Sequence, residues 1–129
     1  MKITIAQLNP VVGDVTGNLE KLAEAVRRAP EDADLVVFPE LFLSGSHPRD
    51  LLEMEWFLKE IEKALEKAVE ISRDFPGTGI LVGAPLPSGE KTGKGLYNCA
   101  VLIENGKILL RQAKALLASW DVSDEARYF

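Results

Sequence analysis

An α/β fold with a mixed sheet follows from three features of the 129-residue sequence. Apolar or alternating runs at 2–8, 35–38 and 80–84 read as strands. Between them lie 19–26 and 51–75, where apolar residues recur at helical spacing, and strands alternating with helices build a parallel sheet. The last two runs, 97–103 and 107–113, are joined by Asn105-Gly106, a strong two-residue hairpin signal that adds an antiparallel pair. The expected architecture is one α/β unit spanning 1–129, with two main helices on one face of the sheet.

Each element has a local reason. Lys2 to Leu8 sets Ile3, Ile5 and Leu8 among polar residues as the first strand. Asn9-Pro10 and Gly13-Asp14 form a turn, and Asn18 reads as the N-cap of the first helix. Leu19, Leu22, Ala23 and Val26 share that helix's apolar face, and Pro30 ends it. Leu51 to Phe75 is expected as one long second helix, its inner side drawn from Trp56, Leu58, Ile61, Leu65, Val69 and Ile71, with Pro76-Gly77 as its stop. The loop 89–95 is rich in glycine and lysine but lacks Walker spacing, and reads as a hairpin loop.

Asp34 to Pro48, DLVVFPELFLSGSHP, organises the rest. Leu35 to Phe38 is a buried strand, and Pro39 ends it because proline has no N–H for a sheet ladder. Glu40 then stands just past a strand's C-terminal end, where ligands bind in α/β sheets. Walled by Leu41, Phe42 and Leu43, its carboxyl is expected to be partly desolvated, with a raised pKa suited to a general base. A solvated loop glutamate is the alternative. If the third strand runs parallel to the second, the connectivity brings Asn98, Cys99 and Lys114 to that same end. Lys114 could then stabilise an oxyanion or hold Glu40 ionised; otherwise it is an ordinary strand-end lysine.

Composition narrows the classes. Net charge is −5 with acidic and basic residues mixed, which argues against a nucleic-acid partner and an anionic membrane surface. The one cysteine permits no intrachain disulfide and points to a reducing cytoplasm. No signal peptide is expected, and no apolar run approaches membrane-spanning length. With one histidine and no zinc spacing, no metal or other cofactor is expected.

The stretch VVFPELFLSG resembles the glutamate motif of the carbon–nitrogen hydrolases, the nitrilase superfamily. Pro48-Arg49-Asp50-Leu51-Leu52, the opening IAQLNPVVGDVTGN and the closing DVSDEARYF are similar to one branch, the glutaminase domain of glutamine-dependent NAD synthetase. The resemblance covers nearly the whole chain. It implies an amide hydrolase working through a thioester, with Glu40 as general base and Lys114 as the oxyanion-stabilising lysine. The nucleophilic cysteine position lies beyond Phe129, so the chain alone is expected to be inactive on glutamine. It also implies about half of an αββα sandwich.

Several residues depart from the branch. Ser46 and His47 stand where it has Tyr-Pro, Ala118, Ser119 and Trp120 where it has Pro, a small or amide residue and Tyr, and Ser123 where it has Phe. In the family these positions line the substrate pocket. Their concentration there suggests a redesigned, shortened scaffold: an engineered hydrolase, or an engineered binding or assembly module. The only histidine, His47, with Ser46, Ser119, Ser123, Asp121 and Asp124, carries the makings of a nucleophile–His–carboxylate site on an amide or ester. Ser46 adjoins His47, and such neighbours rarely face each other, so Ser119 or Ser123 is the better nucleophile. Cys99 with His47 is a further dyad, against a small buried strand residue for Cys99 and a helix-entry residue for His47.

Finally, VVF and ILVGA are apolar on both faces, as in a sheet covered on both sides. Two helices cover one face. A homodimer packed sheet to sheet is expected to cover the other, or else a second chain carrying the missing half.

Overall fold

The computed structural model describes residues 1–120 and 123–129. Its strands are β1 (Ile3–Ile5), β2 (Leu35–Val37), β3 (Gly79–Pro87), β4 (Leu96–Glu104) and β5 (Lys107–Ala113). Two helices, α1 (Val15–Arg28) and α2 (Glu55–Ser72), connect the first three. The sheet runs in sequence order, β1 to β3 parallel and β3 to β5 antiparallel. Right-handed crossovers that step the same way twice put both helices on one face. There Leu22, Val26, Phe57 and Ile61 share one core with Val36, Ile80, Val82 and Val101. The mixed sheet with two helices is as expected.

Several boundaries differ from the expectation. Asp14, not Asn18, caps α1: its side chain accepts from Gly17 N at 3.0 Å. Asn18 lies one turn inside and is fully buried. Its amide donates to Val11 O (2.9 Å) and Leu43 O (3.2 Å) and accepts from Val11 N (2.8 Å), tying the loop before α1 to the loop after β2. The second helix is not continuous from Leu51. A short 3-10 turn, Arg49–Glu53, precedes it, and α2 starts after Met54. That shift makes Phe57 the buried aromatic and leaves Trp56 55 % exposed.

The hairpin between β4 and β5 has positive φ at Asn105 (50°) and Gly106 (74°), as a type I′ turn needs. The ladder slips between Leu102 and Ile103, leaving Leu109 as a bulge. β1 is shorter than expected and its alternation is inverted: Ile3 and Ile5 are 51 % and 76 % exposed, while Ala6 is buried. The apolar side of β1 lies on the face without helices.

Candidate active site

Glu40 is delivered by the end of β2. Phe38 N still donates to Leu81 O (2.9 Å), and Pro39 then stops the ladder. The chain turns across β3, with Leu41 at φ 53° and Leu43 N donating to Gly83 O (3.2 Å). Only glycine fits beneath this turn: a Cβ on Gly83 would stand 2.4 Å from Leu41 N and 2.8 Å from the Glu40 Cα. The same end of the sheet receives Asn98 from β4 and Lys114 from β5, held together by Lys114 N donating to Asn98 O (2.8 Å).

The expected meeting of Glu40 and Lys114 is found. Lys114 Nζ donates to Glu40 Oε1 at 2.8 Å. It also donates to Glu125 Oε1 at 3.0 Å, and the other oxygen of Glu125 accepts from Ala118 N at 2.6 Å. One ammonium is thus clamped between two carboxylates. Asn98 Nδ2 donates to Glu40 Oε1 at 2.5 Å. Neither Glu125 nor the Asn98 side chain was given a role by sequence reasoning. Strand connectivity brings Asn98 to this end, and Glu125 sits in the closing DEARYF run, but no local spacing tells that it folds back onto Lys114.

The electrostatics correct the expected pKa of Glu40. Partial burial is the largest single cause and pushes it up, but donors from Lys114 and Asn98, the Lys114 charge and the Glu125 contact together hold it below its ordinary value. The side chain is 53 % exposed, so the desolvation foreseen from its apolar neighbours is incomplete. Lys114 is raised, first by its hydrogen bond to Glu40 and then, against some desolvation, by Glu125. At neutral pH the site is an ionised carboxylate beside a firmly cationic ammonium. Glu40 and Lys114 line a cavity of about 310 Å³ with Leu81, Ala100 and Gln112, on the face without helices.

Of the expected His47 site, only Cys99 borders this cavity, and the histidine falls elsewhere. His47, at φ 61°, lines a separate cavity of about 240 Å³ with Arg49, Asp124 and Tyr128. Its Nε2 lies 3.3 Å from Ser123 Oγ and its Nδ1 3.4 Å from Ser46 Oγ. Ser123 therefore does reach the ring, and Ser46, against expectation, does too. Neither contact supplies the carboxylate that orients a catalytic histidine. Ser119 and Trp120 are exposed and line neither cavity, and Asp121 lies outside the described residues. The Cys99–His47 dyad is not formed: Cys99 belongs to the core, and burial pushes its thiol up, away from the reactive thiolate. Among the described residues, no group of three or more His, Cys, Asp or Glu could hold a metal ion, and no helix is long and apolar enough to cross a membrane.

The carbon–nitrogen hydrolase family model matches residues 2–127. The chain is 42 % identical over 130 residues to the glutamine-dependent NAD(+) synthetase of Thermotoga maritima, covering 100 % of this chain and 22 % of that protein. The Aquifex aeolicus enzyme of the same name is 40 % identical over 129 residues, again 100 % of this chain and 22 % of the relative. Among solved structures, a glutamine-dependent NAD(+) synthetase from Cytophaga hutchinsonii superposes with a TM-score of 0.82 at 29 % identity, over 98 % of this chain and 21 % of that one. An amidase from Nesterenkonia sp. gives 0.79 at 26 % identity, over 98 % and 46 %. The chain thus spans less than a quarter of the curated relatives' length. The expected redesigned scaffold finds no support here: the matches to these bacterial proteins span the whole chain.

Proposed function

The chain belongs to the carbon–nitrogen hydrolase family, and from that premise we propose that it supplies the Glu–Lys part of a glutaminase-type amide-hydrolysing site whose cysteine nucleophile comes from outside these 129 residues. The observation that carries this reading is the clamp on Lys114, 2.8 Å from Glu40 Oε1 and 3.0 Å from Glu125 Oε1. Glu40, ionised, takes the proton of the incoming thiol and later that of water. Lys114, kept cationic, stabilises the oxyanion that develops on the amide carbonyl. Glu125 holds the lysine between the two tasks. Cys99, the single cysteine, is in the core and is not that nucleophile.

In this reading residues 1–129 are part of one αββα domain. The uncovered face of the sheet, where Ile3, Ile5 and Leu110 are all more than half exposed, packs on a second sheet. The remainder of the domain is the occupant that the partial coverage of the relatives favours. The single cysteine, kept as a buried thiol, fits a reducing, cytoplasmic setting.

Ammonia release from glutamine tests the proposal. It is measured for the chain alone, and for the chain mixed with the segment that follows the matched region in the Thermotoga maritima relative. No turnover is expected alone, turnover is expected in the mixture, and Glu40→Ala or Lys114→Ala should remove it. Covalent capture of a glutamine analogue by the chain alone overturns the reading. Loss caused only by His47→Ala, with an activated ester as second substrate, moves the chemistry to the other cavity.

A further inference from the structure

We infer that Asn98 is a positioning residue that selects the proton-accepting oxygen of Glu40: Asn98 and Lys114 both occupy Oε1, and Oε2 is left as the base. An ionised carboxylate only accepts, so the amide nitrogen of Asn98 must face it, and Nδ2 donates to Oε1 at 2.5 Å. Lys114 Nζ donates to the same oxygen at 2.8 Å. Both donors described for this carboxylate therefore converge on one atom, and the carboxylate of Glu125, the other titratable group facing it, accepts from the same Lys114 ammonium at 3.0 Å. Donors stabilise the charge where they bind and make that oxygen the poorer proton acceptor. The proton goes to Oε2.

The geometry also says why the arrangement is stiff. Asn98 is 3 % exposed, so its amide has no water to turn to, and leaving it without a partner would cost its desolvation. Its backbone carbonyl accepts from Lys114 N at 2.8 Å, so one residue orients both Glu40 and the backbone that carries the lysine. It sits on the long β3–β4 ladder, paired with Pro85, rather than on a loop. A group locked this way keeps Glu40 in one orientation while the cavity is empty, which is the preorganisation that proton transfer needs.

The inference rests on the proposed function only for what the base acts upon. Its test is the pH titration of the Glu40 side-chain carboxyl by ¹³C NMR in the 129-residue chain, together with the side-chain NH₂ signals of Asn98. In the unaltered chain those NH₂ signals should move through the same midpoint as Glu40. Asn98→Ala should raise that midpoint by about one pH unit, the size of one lost hydrogen bond to a charge. Asn98→Asp, of the same shape, should raise it further, because it adds like-charge repulsion. Backbone amide spectra report whether each variant keeps its sheet. NH₂ signals indifferent to the Glu40 titration, or a midpoint unmoved in folded Asn98→Asp, overturn the inference, and the first of these needs no variant. Neither readout requires turnover. A shifted midpoint without amide hydrolysis in the completed mixture would sink the proposed function and leave Asn98 in its role; Glu40-dependent hydrolysis with an unmoved midpoint would do the reverse.

Discussion

Two neighbouring rows of side chains cross the same five strands and are treated in opposite ways. Val36, Ile80, Ile103 and Ile108 form one row, continued on β1 by Thr4. Val36, Ile80 and Ile103 are fully buried beneath α1 and α2. One residue along β1 to β4, and past the Leu109 bulge on β5, Ile5, Val37, Leu81, Leu102 and Leu110 form the next row, which is apolar on every strand and points to the other face. Its ends, Ile5 and Leu110, are 76 % and 52 % exposed. Hydrophobicity is not what separates the rows, since the open one is apolar throughout while the covered one contains a threonine. Only the cover differs. The candidate active site borders the open face, with Leu81 lining its cavity, so a cover over that face would also close the cavity that Glu40 and Lys114 share.

The largest expected effect falls on the covered side. Phe57→Ala removes a fully buried ring from beneath the sheet and should cost about 3–5 kcal/mol, read as a lower urea midpoint. A loss as small as that from Ile5→Ala would break the contrast between the faces. A smaller effect sharpens it for polar groups. Asn18→Ala leaves Val11 and Leu43 backbone groups without their partner and should cost about 1–3 kcal/mol by the same measurement.

Next comes the site at the rim of the open face. Glu40 is depressed, so its contribution is present above its ordinary value of 4.5 and lost as pH falls through its lower folded value. Lys114 is raised, so its contribution is present below 10.5 and lost as pH rises above it. Glu40 is half exposed, which limits the acid arm to under about 1 kcal/mol, and Lys114→Met should remove the basic arm and weaken the acid arm, where the Asn98 donor remains, in a pH series of urea melts.

The smallest effect on stability belongs to the open row itself. Ile5→Lys with Leu110→Lys should change the chain's own stability by within about 0.5 kcal/mol while abolishing any sheet-to-sheet association. Light scattering of the purified chain reads this directly. A concentration-dependent dimer lost in the double variant would assign the open face to a second copy. A monomer that binds the remainder of a relative's domain would assign it to that half. A monomer with a cooperative melt and no dye-binding apolar surface would remove the case for any cover.

The elements with local causes were legible in the sequence. Apolar spacing marked both helices, Pro39 the end of β2, and Asn105-Gly106 the hairpin. The connectivity then sufficed to bring Glu40 and Lys114 to one end of the sheet, because strand direction alone decides which ends coincide. What needed the tertiary structure was everything set by competition between distant groups. Alternation in β1 marks two sides but not which one the helices will cover, so Ile3 and Ile5 could not be told to be exposed. Asn18 looked like a cap because capping is local, whereas its real partners, Val11 and Leu43, come from separate loops. The apolar neighbours of Glu40 argued for a raised pKa. The sign reversed because three donor or charged groups, from β4, from the end of β5 and from the closing turn, converge on a carboxylate that stays half in water, and desolvation and hydrogen bonding oppose each other with no fixed winner until their distances are set.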